Sequence, residues 1–434
     1  MNNTDIRKNE IKKFWPHHFN QIKEEGWKAL LRKLYVGVRY GITLPIFLLA
    51  APIVIIVRFI RPIILIRFGS VRSDVIGNSA FNVEYYLSES ELENRKTLDF
   101  FYFQTSIMPN EQWALMVRRH FRIHSFVKYL DRLNCFILGG EKNTVRMVSR
   151  RTGSRDIKGV LYRTKPHMPF SKEENKRGRD FLEGIGFRNV DRFVCILVRD
   201  SAYKDQVSWI KQDWRYHNYR DSDIDTYHDV VFTLAKKGYW VMRMGKVVHK
   251  AFSVNHPRVL DYSNSNYRND FLDIWLMANC YFCITNGTGL DDICVAFRRP
   301  LVEVNYLPVG LTRCNQALTV DLFKKLKWKS NGNYLSLTEQ IETGAIMFLH
   351  TQLYDDLGLE IIDNSSEEIM DAVIEMEGRL NGTWVETAED FELQTVFWKK
   401  FKTSPHFPKR FGWIHPESRI SSSFLRKNHD WFLK

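Results

Sequence analysis

Short apolar runs without internal alternation, separated by helical patterns, occupy the middle of the chain from residue 193 to 306. The runs FVCILV and CYFCI lack the polar residue at every second position that a strand with one wet face would show. Each is followed by a turn or a helical stretch such as HDVVFTLAKK or DFLDIWLMANC. Helices covering both faces of a parallel sheet account for this alternation. The sequence therefore predicts an α/β fold built on a parallel sheet.

A shorter alternation precedes this region. IILIRFGS and FFYFQTS are predicted strands, and each is followed by a predicted helix, the second of them continuous over 110–133. RTKPHMPFS contains two prolines and is a predicted linker, after which Ser171 and Glu174 predict a capping-box helix start. We expect four segments: a basic, membrane-associated segment over 1–60, an N-terminal Rossmann-like domain over 61–165, a C-terminal Rossmann-like domain over 166–385, and a basic helical tail over 386–434 that packs back on the N-terminal domain.

Residues 41–57 form a stretch of 17 residues without a charge, interrupted by Pro45 and Pro52. As a helix it would be about 26 Å long, slightly below the ~30 Å hydrocarbon core of a bilayer. Arginines and lysines flank it on both sides, which disfavours a simple crossing because positive residues prefer the cytoplasmic side. A kinked, re-entrant or interfacial segment fits best. A single crossing and a buried core helix stay open.

The net charge of +13 is concentrated at the two ends of the chain. Residues 1–72 hold 13 Lys and Arg against 4 Asp and Glu, and residues 398–434 hold 9 against 2. Because the first of these flanks the apolar stretch, we expect a membrane surface as the partner and no nucleic acid. The six cysteines mostly lie in apolar runs, which predicts buried free thiols.

Four loops that follow predicted strands carry polar or glycine residues. Since the carboxyl ends of parallel strands meet at one edge of a sheet, we expect these loops to line a ligand cleft. Arginine offers a charged fork that suits a phosphate, although Arg199 could instead pair with Asp200 or Asp205. The candidate ligand-binding residues are Arg199, Ser201, Tyr219, Arg220, Asp221, Arg243, Gly245, Lys246, Asp261, Tyr262, Ser263, Asn286, Gly287, Thr288 and Gly289.

The turn at residues 286–289, NGTG, joins a predicted strand to a predicted helix. Free N–H groups at a helix start favour an anion, whereas Asp291 and Asp292 would stabilise the first helical turn and repel a phosphate. We expect the turn to hold sugar hydroxyls beside a phosphate bound by Arg199. The spacing matches neither the dinucleotide-binding motif nor the P-loop, which excludes both of those sites.

Five stretches resemble a family of bacterial glycosyltransferases from surface-polysaccharide gene clusters: VRDSAY, YRDSDIDTYHDVVFTLAKKGYWVMRMGK, VLDYSNS, DFLDIWLMANCYFCITNGTGLDDICVAFRRPLVEVN and the closing SRISSSFLRKNHDWFL. The resemblance covers about residues 60–434. A more distant similarity to the fucosyltransferase-like superfamily implies that Arg199 binds the donor diphosphate. The family implies a GT-B-like architecture, in which two Rossmann-like domains enclose a cleft, the C-terminal one binds a nucleotide-sugar donor and the N-terminal one binds the acceptor.

The resemblance also implies chemistry without a metal, since basic side chains and helix ends offset the charge of the leaving diphosphate. Asp223 and Asp225 have the D-x-D spacing but lie at a predicted helix start, so we expect no metal and no other cofactor. Asp74, in the loop after the first strand, is the candidate catalytic base and Glu84 the second candidate. Arg72 could instead hold Asp74 in an ion pair.

These features together predict a membrane-associated glycosyltransferase at the cytoplasmic face of the bacterial inner membrane. It would move a sugar from a nucleotide-sugar to a lipid-linked or lipopolysaccharide-type acceptor. The alternative is a non-catalytic scaffold of a polysaccharide-assembly complex that keeps the glycosyltransferase fold.

Overall fold

The computed structural model describes residues 27–200, 215–248 and 250–434. These residues form two compact units. Unit 1 comprises 27–69, 96–102 and 124–145, and unit 2 comprises the described residues of 70–95, 103–123 and 146–434. The segment boundaries expected at residues 60, 165 and 385 stay a prediction.

The described residues form 15 α-helices. They are α1 (Trp27–Phe59), α2 (Ile76–Leu92), α3 (Glu111–His120), α4 (Val127–Phe136), α5 (Val148–Thr152), α6 (Lys172–Gly184), α7 (His228–Lys236), α8 (Asp270–Asn279), α9 (Asp292–Ala296), α10 (Leu337–Glu342), α11 (Thr351–Asp356), α12 (Ser366–Asn381), α13 (Ala388–Phe401), α14 (Phe407–Arg410) and α15 (Ser422–Phe432).

The strands of the described chain are β1 (Leu65–Val71), β2 (Thr97–Phe103), β3 (Arg122–Ile123), β4 (Phe193–Leu197), β5 (Trp240–Arg243), β6 (Val259–Leu260), β7 (Cys283–Thr285), β8 (Leu301–Tyr306), β9 (Thr319–Phe323), β10 (Lys325–Trp328), β11 (Leu359–Ile362) and β12 (Arg419–Ile420). Strand β1 lies beside β2. Strands β10 and β11 form a separate antiparallel pair.

Unit 2 is built on a seven-stranded sheet in the order β12-β9-β8-β7-β4-β5-β6. Every neighbouring pair in it is parallel. From β4 the chain adds β5 and β6 on one side, and then β7, β8 and β9 on the other, which is the strand order of a Rossmann fold. The predicted α/β class and parallel sheet are confirmed.

The central strands are buried on both faces, as their sequences predict. Every residue of β4, β7, β8 and β9 is buried. Helices supply the covering layers, and the capping box predicted at Ser171 and Glu174 begins α6. Removal of these apolar side chains from water is the main force that holds the layers together.

The structure differs from the predicted elements in two places. The helix expected over 110–133 is two helices, α3 and α4, because the chain extends at Phe121 and forms β3 between them. The tail is likewise not one helix: it forms α13, α14, β12 and α15, and β12 pairs with β9 at the edge of the large sheet. The tail also packs its residues 411–415 against residues 157–162, where Trp413 lies 5.3 Å from Tyr162 between ring centroids.

The uncharged stretch at residues 41–57 lies within α1, which runs through both Pro45 and Pro52. In unit 1 the helix buries Ala50, Val54 and Val57 against a core that includes Phe68 and Leu130. No helix in the described part of the chain has both the length and the apolarity needed to span a bilayer. The part of the predicted membrane-associated segment over 1–26 lies outside the described residues.

The cysteines follow the expectation of buried free thiols. Within the described ranges none of the six forms a disulfide, and five of them are buried, with Cys135 exposed. Cys280 and Cys294 approach to 3.9 Å between sulfur atoms inside the core of unit 2. Burial raises the pKa of the Cys294 thiol, so this group stays protonated.

Candidate functional site

The strand order places the candidate site at the carboxyl ends of β4 and β7. These two strands are neighbours, and the order of the sheet reverses between them. In open α/β sheets this reversal leaves a crevice in which ligands bind. The chain leaves β4 at Val198 and Arg199, and leaves β7 at Asn286 and Gly287.

Asn286 joins the loops at this point. Its side-chain oxygen accepts the backbone N–H of Arg199 at 2.8 Å, and its side-chain amide donates to the carbonyl of Arg220 at 2.9 Å. The residue is 1% exposed, so both bonds are shielded from water. One asparagine therefore fixes two arginine-bearing loops relative to each other.

The positive charges of Arg199 and Arg220 are near enough to act on each other. Arg199 Nε donates to Asp221 Oδ1 at 3.0 Å, and Arg220 donates to the carbonyl of Gly287. Burial, and then the charge of Arg220, lower the pKa of Arg199. Holding two like charges together costs free energy, and an anion with several oxygens between them would recover it. This arrangement suits a diphosphate.

Lys324 adds a third cation to this edge and was missed in the sequence. Its ammonium donates to the carbonyl of Asp221 at 2.7 Å and pairs with Asp363 at 2.7 Å. Burial lowers the pKa of Lys324. The sequence could have indicated Lys324, because it directly follows the buried strand β9. The position of Arg199 just after β4 is the same kind of signal.

The glycine turn uses its own backbone donors internally. Gly287 N–H donates to the Thr285 hydroxyl at 3.1 Å, and Thr288 N–H donates to Asp291 Oδ2 at 2.8 Å. Arg313 in turn holds the other oxygen of Asp291 at 2.6 Å. These two N–H groups are therefore not open to an anion. The Thr288 hydroxyl is different, since it is buried without a hydrogen-bond partner in the turn.

Gly287 is required by its conformation and by its neighbours. Its φ is +81°, and an added Cβ would lie 2.7 Å from Cε2 of Tyr306 and 3.3 Å from Nη2 of Arg220. Residues with a side chain rarely adopt such a φ. The distance from the added Cβ to the Tyr306 ring is also shorter than a van der Waals contact. The absent side chain lets Arg220 reach the turn.

Two further glycines bring the start of α2 against the same turn. A Cβ added to Gly77 would meet the carbonyl oxygen of Gly289 at 2.8 Å. The loop that precedes α2 carries Asp74, whose carboxylate pairs with Arg72 at 2.8 Å. Both groups of that pair are partly exposed. A candidate base and the candidate sugar-binding turn thus belong to neighbouring segments of unit 2.

Asp292 also faces this contact, since its carboxylate abuts the position of a Cβ at Gly77. It lies 3.3 Å from Arg313 Nη1. Burial raises the pKa of Asp292 to about 6. The sequence assigned this aspartate to the first turn of a helix, where the structure does place it.

Glu84, the second candidate base, is the buried carboxylate of an ion pair with Arg298 and His167. Its carboxylate accepts Arg298 Nη2 at 2.8 Å and His167 Nδ1 at 3.0 Å, and it also accepts the backbone N–H of His167. The Glu84 side chain has no exposed surface. Because the carboxylate oxygens already accept these hydrogen bonds, we infer that Glu84 has a structural role. It holds residues 164–168 against α2. His167 reaches Glu91 as well, and the bond to Glu84 raises its pKa.

The loops after β5 and β6 mostly bond to each other. Asp261 accepts the backbone N–H of Phe252 at 2.8 Å, the Ser263 hydroxyl at 2.7 Å and, at 3.5 Å, a nitrogen of Arg243. Arg243 is 1% exposed, and a Cβ at Gly245 would touch Val248 at 3.0 Å. The structure therefore gives these predicted ligand residues a role in shaping the edge of the sheet.

The remaining predicted residues are placed as follows. Tyr219 is buried beside Tyr354, with 5.4 Å between ring centroids. Tyr262 is buried and donates to Asp273 at 2.9 Å, and Lys246 donates to the carbonyl of Pro109 at 3.0 Å. Ser201 lies outside the described residues.

Asp223 of the D-x-D pair caps a short 3₁₀ helix, and Asp225 lies in its first turn, at the helix start that the sequence predicts. Asp223 accepts the N–H of Asp225, and both carboxylates pair with Lys250. The described ranges contain no cluster of three or more His, Cys, Asp or Glu residues that could hold a metal ion. The expectation of no cofactor stays a prediction.

No protein-family model and no curated protein matches the chain. Similar solved structures include a glycosyl transferase family 9 protein from Veillonella parvula, at 12% identity and a TM-score of 0.43, covering 74% of this chain and 98% of that one. Another is the E. coli ADP-heptose lps heptosyltransferase II, at 10% identity and a TM-score of 0.34, covering 72% and 100%. A third is the E. coli heptosyltransferase WaaC with ADP, at 12% identity and a TM-score of 0.29, covering 59% and 90%. The strand order and the contacts of this chain define the candidate site.

Proposed function

We propose that the protein is a glycosyltransferase that binds a nucleotide-sugar at the carboxyl ends of β4 and β7. The observation that carries the proposal is the bridge from Asn286 to the two arginine loops, which holds Arg199 and Arg220 together at the reversal of the sheet. The sequence resemblance to glycosyltransferases supports the same assignment. The buried, unbonded hydroxyl of Thr288 adds a group that a sugar or phosphate oxygen can satisfy.

The proposed reaction is a displacement at the anomeric carbon of the donor sugar. The acceptor oxygen forms a bond to this carbon while the bond to the phosphate oxygen breaks. The nucleoside diphosphate leaves with the electron pair, and Arg199 and Arg220 stabilise the charge that develops on it. Preorganised cations supply this stabilisation without a metal, which we propose is not required.

Asp74 is the group we propose to take the proton from the acceptor hydroxyl. Its loop leads into α2, whose Gly77 contacts Gly289 of the donor turn. Its carboxylate is about one-third exposed, so an acceptor can reach it. Glu84 is not proposed for this step, because its carboxylate is buried and bonded to Arg298 and His167.

The proposed acceptor is a lipid-linked or lipopolysaccharide-type glycan at the cytoplasmic face of the bacterial inner membrane. The sequence resemblance to enzymes of surface-polysaccharide clusters supports a glycan acceptor. The uncharged stretch over 41–57 with basic flanks supports a membrane-resident one, since an enzyme held at the bilayer meets such a substrate at raised local concentration.

The test is a transfer assay with the full chain, radiolabelled nucleotide-sugars and a bacterial lipid extract. We expect label in the lipid fraction with one nucleotide-sugar, and a loss of about 10²–10³-fold in Arg220→Ala, as for removal of one preorganised donor. Arg188→Ala is the matched control, because Arg188 is 67% exposed and pairs with Asp191. Equal rates for both variants would contradict the proposal. No transfer, together with no nucleotide binding, would favour the non-catalytic scaffold.

A further inference from the structure

The outer face of α1 in unit 1 is apolar over its whole C-terminal half. Ala50, Val54 and Val57 recur at helical spacing and face the core of unit 1. The opposite face exposes Leu44, Leu48, Leu49, Ile53, Ile55, Ile56 and Phe59, at 39% to 81% of their surface. A helix on a water-facing surface normally carries polar residues there, whereas a helix that is apolar all round is covered.

A loop of the same unit extends this face. Phe136 is 81% exposed and Leu138 is 88% exposed. Arg58, at the end of α1, donates to the carbonyls of Leu138 at 2.7 Å and of Ile137 at 3.1 Å. The guanidinium therefore ties the loop to the end of the helix that carries Phe59.

The turn after α1 adds Ile63, which is 88% exposed. Phe59, Ile63, Phe136 and Leu138 are thus four large apolar side chains, each more than four-fifths exposed, at one end of unit 1. We call the outer face of α1 together with these residues the apolar face. Contiguous exposed apolar surface of this kind marks an interaction site.

We propose that the apolar face is the surface by which the protein docks onto a lipid bilayer. Two observations favour a bilayer over a second copy of the chain or another protein. The exposed stretch has no charged residue from 41 to 57, whereas protein interfaces carry a polar rim. Residues 1–72, which contain it, hold 13 basic against 4 acidic residues, a balance that complements an anionic membrane surface.

The docked geometry follows from the exposure of the side chains. The helix lies in the interface with its outer face among the acyl chains, and the four most exposed residues insert at its C-terminal end. Arg132, Glu141 and Lys142 are exposed on the elements beside the loop, which leaves a net positive charge there. The choice of a membrane partner rests in part on the proposed function, but the docking surface belongs to unit 1 and is testable without transfer.

The experiment is co-sedimentation of the full chain with vesicles of phosphatidylethanolamine and phosphatidylglycerol. One test variant combines Phe136→Ser with Leu138→Ser, and another combines Leu48→Ser with Phe59→Ser. Because all four side chains are mostly exposed, these substitutions leave the core unchanged. Each pair should lower vesicle affinity at least about tenfold, which is ~1.4 kcal/mol.

The matched control combines Val190→Ser with Phe391→Ser, since these residues are 83% and 68% exposed but lie in unit 2. It should bind vesicles as the unchanged protein does. Every variant is also tested for stabilisation by nucleotides, so that a failure of the donor site is distinguished from a failure of docking. Equal vesicle binding by all variants would overturn the proposal, as would a dimer that dissociates in the test variants while vesicle binding is unchanged.

Discussion

Replacing Gly287 by alanine tests the construction of the donor turn most sharply. Two costs add in this variant. A φ of +81° costs a residue with a side chain about 1–2 kcal/mol, and a Cβ placed 2.7 Å from the buried Tyr306 ring adds about 1–3 kcal/mol of overpacking. The expected loss in the free energy of unfolding is therefore about 2–5 kcal/mol.

Two other glycines separate these costs. Gly382 has a φ of +71° and open space around an added Cβ, so Gly382→Ala should lose only the conformational term of about 1–2 kcal/mol. Gly289 has no positive φ, and the atom nearest to an added Cβ is the Gly77 nitrogen at 3.4 Å, so Gly289→Ala should be close to neutral.

Thermal unfolding of the three variants measures the differences. Since Tm falls by roughly 2 °C per kcal/mol in a domain of this size, Gly287→Ala should lower it by roughly 4–10 °C. It should also lose the stabilisation by nucleotides, because the new Cβ displaces Arg220. If Gly287→Ala unfolds at the same temperature as Gly382→Ala, the close approach of Tyr306 and Arg220 to the turn is refuted.

Three further predictions concern carboxylates. Glu84→Gln should lower stability in urea unfolding by about 3–5 kcal/mol, because it removes one partner of a buried ion pair, whereas Glu91→Gln, at a mostly exposed side chain, should cost at most about 1 kcal/mol. Burial, and then the charge of Asp321, raise the pKa of Glu303, and burial raises that of Asp321 to about 6. The stability from these bound protons is full below the ordinary glutamate pKa of 4.5 and is lost as pH rises from there through the raised folded pKa. Glu303→Gln should therefore gain stability relative to the unchanged protein as pH rises above 4.5. Asp74→Asn should slow transfer about 10²–10⁴-fold without weakening nucleotide binding.

Each of these has an outcome that contradicts it. Glu84→Gln with full stability but no transfer would restore Glu84 as the catalytic base. Parallel pH–stability curves for Glu303→Gln and the unchanged protein would show that the buried pair holds no extra proton. A full transfer rate in Asp74→Asn would exclude that aspartate as the base.

The sheet of unit 2 was predictable because its strands consist mainly of apolar residues, which indicates that both of their faces are buried. FVCILV and CYFCI have no polar residue at alternate positions, so the sequence predicts β4 and β7 as strands buried on both faces. The capping box at Ser171 is predictable because it depends only on residues three positions apart in the chain. The strand order was not predictable, because pairing between residues such as Cys195 and Cys283 depends on contacts distant in the chain.

The candidate site was predictable in its location and less so in its parts. The rule that strand ends carry ligands led to Arg199, Arg220 and the turn after β7. It also selected Asp261 and Tyr262, whose side chains the structure uses to bond their own loop and helix. A sequence does not show which polar side chains form hydrogen bonds with one another in the folded protein. Only the polar groups left without such bonds are available to a ligand.

The expected role of the glycine turn changed for the same reason. The sequence suggested N–H groups open to a ligand, but Thr285 and Asp291 accept the bonds of Gly287 and Thr288. The part that the sequence could not reveal is the close packing of Tyr306 and Arg220 on Gly287. We therefore propose that the turn contributes the Thr288 hydroxyl and the position of Arg220.

The most direct test of the central claim is a thermal-shift panel of the full chain with GDP, UDP, CMP and thymidine diphosphate. The unchanged protein, Arg199→Ala, Arg220→Ala and the control Arg188→Ala are compared. A nucleotide at about 100 times its Kd should stabilise the unchanged protein and the control by ~2.7 kcal/mol. We predict that one nucleotide does so and that both site variants lose the shift. A shift that persists in both Arg199→Ala and Arg220→Ala would contradict the assignment of the arginine pair to the donor diphosphate.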